Sequence, residues 1–416
     1  MPRVFADLTP LRESPDFRRL WFGQLISFSG TQLTSVAVPL QVFLITHSSL
    51  AVGLASLAQL LPLIVGSFAG GALADAYDRR KLILWSSYAL AATSVGLAVN
   101  AGHHPHLWMI ITLSAIAAGL TGIYGPARAA IVPTIVPRHL WPASNALWQI
   151  LMQTGIVVGP AVAGLLISAF SIRFVYAVDA ITFAAAIIAT LRIAPAPPPP
   201  VENPVGLWRS ATDGFRYLRT APAVQGTFAA DLVAMIFGMP RALFPAIGLV
   251  RLGGTARTVG FLYAAPGAGG LIGAATTGSV GRVHRQGRAV VISILLWGAA
   301  IVGFGLSPSL VLGMVCLAIA GAADVWSAVF RNTILQNFVS DAFRGRLNAT
   351  HILVVTGGPR LGDVESGAIA AAIGPQGSVI TGGLACIVGI LIVARLMPSF
   401  SHAVASPNPS PPGDKS

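Results

Sequence analysis

Apolar positions run through this chain in long unbroken stretches, and polar positions gather in the short breaks between them. The runs lie at about Trp21–Leu44, Leu50–Ala74, Leu82–Ala101, Leu107–Ile131, Pro142–Phe170 and Phe174–Leu191. A second set lies at about Ala223–Val250, Val259–Val280, Ala289–Leu306, Leu310–Leu335, Leu347–Ile373 and Ser378–Leu396. A helix rises about 1.5 Å per residue and needs about 20 mostly apolar residues to cross the hydrocarbon core. The pattern therefore predicts about twelve transmembrane helices in an all-α polytopic membrane protein. Asp16 to Arg19 reads as a short amphipathic entry at the membrane surface.

One break is longer than the rest. Pro195 and the run Pro197 to Pro200 predict an extended, semi-rigid segment. Beyond it Leu207, Ala211, Phe215 and Leu218 recur at helical spacing beside Arg209, Asp213 and Arg216, as an interfacial helix requires. The chain thus divides into a six-helix bundle over 1–193, a linker over 194–222, a second bundle over 223–397 and a disordered tail over 398–416. The halves also superpose by sequence. A shift of 203 positions lays Arg128 on Arg331, Asn145 on Asn348, Gly155 on Gly358, Gly159 on Gly362 and Gly164 on Gly367, and a shift of 207 lays Gly71 on Gly278.

Composition agrees with a membrane chain, since 10% of residues are charged against roughly a quarter in soluble domains. In a soluble protein the net charge of +12 would suggest nucleic acid. Here its distribution excludes that partner: 19 of the 26 Lys and Arg fall in or beside the breaks on one side, three on the other and four inside spans. That bias places both termini on the cytoplasmic side of a cell (inner) membrane. Cys316 and Cys386 lie in apolar runs, where small hydrophobic packing is their role. His103, His104 and His106 form a solvated outer turn with no acidic or Cys partner beside them, so neither a metal nor another cofactor is expected. H-E-x-x-H, G-x-S-x-G and the phosphate-binding G-x-x-x-x-G-K-[ST] do not occur, which argues against a membrane enzyme and against ATP drive.

Two short stretches carry more specific chemistry. Gly70 to Lys81, GGALADAYDRRK, is too charged for hydrocarbon and forms a surface turn in which Gly70 and Gly71 allow close helix approach and Asp75 is free to meet a helix N-terminus. Gly155 to Gly164, GIVVGPAVAG, combines small residues for tight packing with Pro160, which removes a backbone donor and bends the helix. The first stretch resembles the loop between helices 2 and 3 of the major facilitator superfamily through Gly71, Leu73, Asp75, Arg79 and Arg80, with Ala76 and Asp78 departing from the pattern. The second resembles the G-x3-G-P-x2-G-G element of the superfamily's exporters, with Ala163 in place of one Gly. THSSLAVGL, PAPPPPVENP, GFRYL, GFLYAAP, VCLAIAG and RGRLNA, spread from Thr46 to Ala349, look like the enterobactin-exporter branch of its drug:proton antiporters.

The resemblance implies the major facilitator fold and a monomeric, proton-coupled exporter working by alternating access. Its partners are the bilayer, protons and a small amphipathic substrate such as a siderophore. A broad multidrug or macrolide pump is the alternative, with an importer or a non-transporting receptor further off. Charges inside spans are costly and line pathways. They are Asp179, Asp231, Arg241, Asp324, Arg331, Arg360, Asp363 and Glu365, with Arg128 at an inner edge, while Gln24, Gln32 and Pro39 of the first span are expected to face a cavity. Asp324 and Arg331 are seven residues apart and share a helix face with Ser327 between them. Asp231 is within reach of Arg331, either as a structural ion pair or as part of a switch. Asp324, deepest in its span, is the expected proton carrier. Asp75 is expected to latch onto the start of the eleventh span near Leu347, and Gly159 with Pro160 to seal one side of the cavity.

Overall fold

The computed structural model describes residues 7–102, 104–198, 221–277, 283–338 and 341–402, and all regular structure among them is helical. The membrane-length helices are α1 (Pro15–Thr46), α2 (Ser49–Ala76), α3 (Arg79–Asn100), α4 (Leu107–Ile135), α5 (Trp141–Ala169), α6 (Ile172–Leu191), α7 (Val224–Arg251), α8 (Ala256–Thr276), α9 (Gln286–Leu306) and α10 (Leu310–Phe338). A last helical run, Asp341–Leu396, is broken at Gly374, which has φ 80° and ψ 162°. Only glycine adopts that conformation without strain. The chain reverses there, and the Ser378 hydroxyl donates to the Ser366 carbonyl at 2.7 Å. The run is therefore two crossings, α11 (341–373) and α12 (375–396). Twelve crossings result among the described residues, and the chain is a multi-pass membrane protein of all-α class.

Two spans are broken for identifiable reasons. α2 consists of Ser49–Ala58 and Leu60–Ala76, which meet at Gln59. In α7 the regular helix stops at Phe237, and the chain passes through Gly238 and Pro240 into a tight turn, Arg241–Leu243, and a wide one, Ile247–Arg251. Proline cannot donate to the helix ladder. Inside a membrane the freed groups need partners, and they have them: Trp297 Nε1 donates to Gly238 O at 2.8 Å, and the Ala242 amide donates to Asp363 at 3.1 Å.

The helices form two bundles with matching contacts. In the first, α1 packs on α5 and α6, α3 on α4 and α6, and α2 on α4. The second repeats this arrangement with α7 to α12. Glycines set the closest approaches. A Cβ on Gly70 would lie 2.6 Å from Ile123 Cα of α4, and one on Gly273, its counterpart at a shift of 203, 2.9 Å from Ala322 Cα of α10. Between the bundles there are two seams, α2 on α11 and α5 on α8, which the same pseudo-twofold exchanges. At the first seam Gly53 lies against the Asp363 carbonyl and Gly367 against Leu50; at the second, Gly164 lies against Gly260. All these residues belong to the half of the molecule remote from the Arg79–Lys81 turn. The glycine seams thus join the bundles in the half of the molecule remote from the basic turn.

Three boundaries differ from the sequence expectation. Asp16 to Arg19 is the first turn of α1 rather than a separate entry, because Ser14 caps that helix by accepting from the Phe17 amide at 3.2 Å; the entry element is the short helix Thr9–Glu13. The tail expected to be disordered from Pro398 begins instead with a helical turn, Pro398–Ser401, which buries Phe400 against Gly226 and Gly287. The interfacial helix expected over Leu207 to Leu218, and Gly278, lie outside the described residues.

Candidate functional site

A cavity of about 350 Å³ lies between the bundles. The first bundle supplies a hydroxyl and amide wall: Thr31, Thr34 and Ser35 from α1, Gln59 from α2, and Ser114 and Thr121 from α4. From the second come the charges, Arg241 at the break in α7 and Arg360 and Asp363 on α11, together with Tyr263. Asp363 is held from both sides. Ser56 of α2 donates to its Oδ2 at 2.6 Å, and the Ala242 amide to its Oδ1. One carboxylate therefore joins α2, α7 and α11 at the closed seam. Tyr263 donates to the Arg241 carbonyl at 3.0 Å and fixes the broken segment from which the Arg241 side chain springs.

Charges inside the bundles fall into two further groups. Asp231 and Arg331 lie 2.8 Å apart, 1% and 4% exposed, and Arg331 also donates to Ser327 at 2.9 Å. The Asp231–Arg331 contact is an ion pair rather than an aligned hydrogen bond. Asp324 shares the Ser327 face but makes no such contact among the described residues, and the charges that act on it include Arg331, Asp231 and Arg241. In the first bundle Asp179 accepts from Thr34 and Ser94, each at 2.8 Å, through Oδ2. Its Oδ1 has no hydrogen-bond partner among the described residues and occupies the space left by Gly30, where a Cβ would lie 2.6 Å away. Since Thr34 also lines the cavity, this buried acid is one hydroxyl from it.

Other residues singled out by sequence are dispersed. Arg128 stacks on Trp148 with its guanidinium carbon 3.6 Å from the ring centroid. Glu365 is half-buried on α11, away from the cavity. Of the α1 residues expected to face the cavity, Pro39 does, whereas Gln24 is buried about two turns from Thr31 toward the basic end and Gln32 packs over Gly159. In the basic turn Asp75 is exposed and makes no hydrogen bond among the described residues; the Leu347 side chain lies outside them. Asp78 does the local work. It caps α3 by accepting from the Arg80 amide at 2.9 Å and also accepts from the Ala196 amide at 3.2 Å. Arg79 donates to the Ala74 carbonyl, and Arg80 to the Thr190 and Leu191 carbonyls at the end of α6, where a cation suits the helix dipole.

In the Gly155 to Gly164 element the glycines divide their duties. Gly155 and Gly159 make room for Phe28 and Gln32 of α1, within the bundle, while Gly164 and the Pro160 carbonyl meet Gly260 of α8 across the seam. The crossing between halves is therefore at Gly164 rather than at Gly159. The same division recurs on α11, where Gly358 and Gly362 face α7 and Gly367 faces α2. Sequence reasoning missed Ser56, Thr34 and Ser94, serines and threonines that pass for ordinary polar residues in apolar runs. It also missed His351, whose ring packs edge-on to Phe228 at 6.0 Å and whose neighbouring charges are Asp231 and Arg331.

Comparison with known proteins covers nearly the whole chain. A sequence family described as transmembrane secretion effector matches residues 5–413. The enterobactin exporter EntS of Shigella boydii serotype 18 is 31% identical over 395 residues, 94% of each chain. Among solved structures, the nucleoside transporter NupG superposes with a TM-score of 0.76 at 13% identity, over 92% of this chain and 99% of that one. A POT family transporter in complex with 5-aminolevulinic acid gives 0.74 at 12% identity, over 93% and 97%. These last two likenesses speak to the fold.

Proposed function

Because the chain belongs to the transmembrane secretion effector family of the major facilitator superfamily, we propose that it is a secondary active exporter that moves a small amphipathic molecule out of the cell by alternating access. One observation carries this reading: a cavity lined from both bundles, with glycine seams joining the bundles in the half remote from the basic end. The end away from the seams bears Arg79, Arg80, Lys81 and Arg138, so the positive-inside rule assigns it to the cytoplasm of a cell (inner) membrane. Substrate enters there. Outward release requires parting the α2–α11 and α5–α8 seams and closing the basic end, where exposed Asp75 is available to meet the start of α11. Family kinship with a siderophore exporter supports a siderophore-like cargo.

A proton gradient is the proposed drive, since the sequence contains no nucleotide-binding loop. Asp324 is the proposed carrier: it is the acid of α10 that Arg331 leaves unpaired, two turns from that arginine on the same helix face, and in this proposal it competes with Asp231 for it. Proton binding at Asp324 releases Arg331 wholly to Asp231, and proton release reverses this.

Inside-out vesicles containing the protein test both parts. They are expected to accumulate a catecholate siderophore when acidified inside, and to lose at least tenfold of that gradient-driven uptake in Asp324→Asn while equilibrium binding persists. Uptake equal to that of empty vesicles overturns the exporter reading. Gradient-driven uptake that survives Asp324→Asn moves the carrier to Asp231, Asp179 or Glu365.

A further inference from the structure

The charges of the cavity are unevenly committed. The carboxylate in its lining, Asp363, already accepts from the Ser56 hydroxyl and the Ala242 amide, one bond on each oxygen, and so is occupied in holding the seam. The two arginines are not. Among the described residues the ion pairs are Arg19–Asp16 and Arg331–Asp231, so neither Arg241 nor Arg360 is paired with a carboxylate, although Asp363 is a near neighbour of both. Arg360 uses one NH1 bond on the Thr356 carbonyl of its own helix and keeps its other donors. Two guanidinium groups against one carboxylate leave a net positive wall on the second bundle, and the facing wall offers hydroxyls and amides without charge.

Each guanidinium carries five N–H donors in a planar fork, which matches the two oxygens of a carboxylate or of an ionised hydroxy acid. A cationic cargo would meet two arginines against a single acid, whose oxygens each already hold one hydrogen bond. We propose that this cavity is an acid-recognition site, taking small amphipathic anions whose carboxylate or phenolate docks on Arg241 and Arg360 while their neutral polar groups meet the α1 and α4 hydroxyls. The proposal rests on the exporter reading for its biological sense and adds the charge class of the cargo. It sets this chain apart from a pump for lipophilic cations.

Equilibrium binding to the purified full-length protein in nanodiscs provides the test, because it needs neither turnover nor a gradient. The probes are fluorescent 3-hydroxy-2-naphthoate, its uncharged amide, and tetraphenylphosphonium. The naphthoate is expected to bind at least tenfold tighter than the amide. In Arg360→Gln and Arg241→Gln that preference should fall below threefold, and Arg360→Lys should recover part of it by restoring the charge without the fork. If one glutamine variant fails to fold, the other and the lysine variant still decide. Tighter binding of tetraphenylphosphonium, no saturable binding of the naphthoate, or an acid preference unchanged in the variants overturns the proposal. Protein that shows the expected preference yet moves nothing in vesicles contradicts the exporter reading and leaves this one standing.

Discussion

Gln24 of α1 and Asp231 of α7 occupy corresponding places in the two bundles. The α1 glycine contact Phe28–Gly155 and the α7 contact Met235–Gly358 align these helices at a shift of 207, which carries Gln24 onto Asp231. Arg128 and Arg331 correspond as well, at a shift of 203. With a carboxylate opposite, Arg331 makes a buried ion pair; with an amide there, Arg128 turns to the face of Trp148. One ancestral pattern has thus separated into a half that stores opposite charges and a half that parks its cation on an aromatic ring. The first half keeps its buried acid elsewhere, at Asp179, and holds it with hydroxyls alone. The lesson is that the repeat preserves packing more faithfully than chemistry.

Breaking the charged member of this comparison should cost most. Asp231→Gln makes the second half resemble the first but leaves Arg331 buried without its counter-ion, and losing one partner of a buried pair typically costs about 3–5 kcal/mol. A fall in detergent melting temperature well beyond that of the surface control Glu13→Gln, an exposed residue, is expected, partly recovered when Arg331→Met is added. Equal melting of the two single variants would show the pair to be dispensable. Next comes Trp148→Leu, which removes the ring beneath Arg128 and should cost about 1–2 kcal/mol in the same melting assay, the scale of a partly desolvated cation–π contact. The smallest effect is expected from Asp179→Asn. An amide oxygen still accepts from Thr34 and Ser94, so the loss should stay near or below about 1 kcal/mol. A larger loss would mean that Asp179 is held as a charge and that the two halves resemble each other more than their partners suggest.

Much of the architecture was legible because the bilayer imposes it: repeated runs of about 20 apolar residues, separated by short charged turns, suit a chain that crosses hydrocarbon many times. The recurrence of Gly155, Gly159 and Gly164 as Gly358, Gly362 and Gly367 announced the repeat. What stayed hidden depends on contacts between distant parts of the chain. Pro240 is tolerable in a continuous transmembrane helix, so the break in α7 follows only from seeing Trp297 and Asp363 collect the freed backbone groups. Asp363 stood in the sequence as one buried charge among eight, and nothing local marked Ser56 as its partner. The expectation that Gly159 and Pro160 meet the other half holds for the Pro160 carbonyl but not for Gly159, which faces Gln32 of α1. Gly164 is five residues on, about 140° round the helix, and that turn carries it from α1 to the seam.

Gly374 has a consequence of parity. Without its left-handed φ the final helical run would continue as one rod of 56 residues, roughly 84 Å at 1.5 Å per residue, and the count of crossings would be odd. An odd count would strand the two ends of the chain on opposite faces of the bilayer and leave the second half one helix short of the first. A single dihedral angle makes the count among the described residues even, so that by this count each half starts and finishes on the same face. Only then can the halves be related by rotation about the membrane normal rather than by inversion through its plane, and only then do the α2–α11 and α5–α8 seams fall at the same depth, as one gate with two hinges.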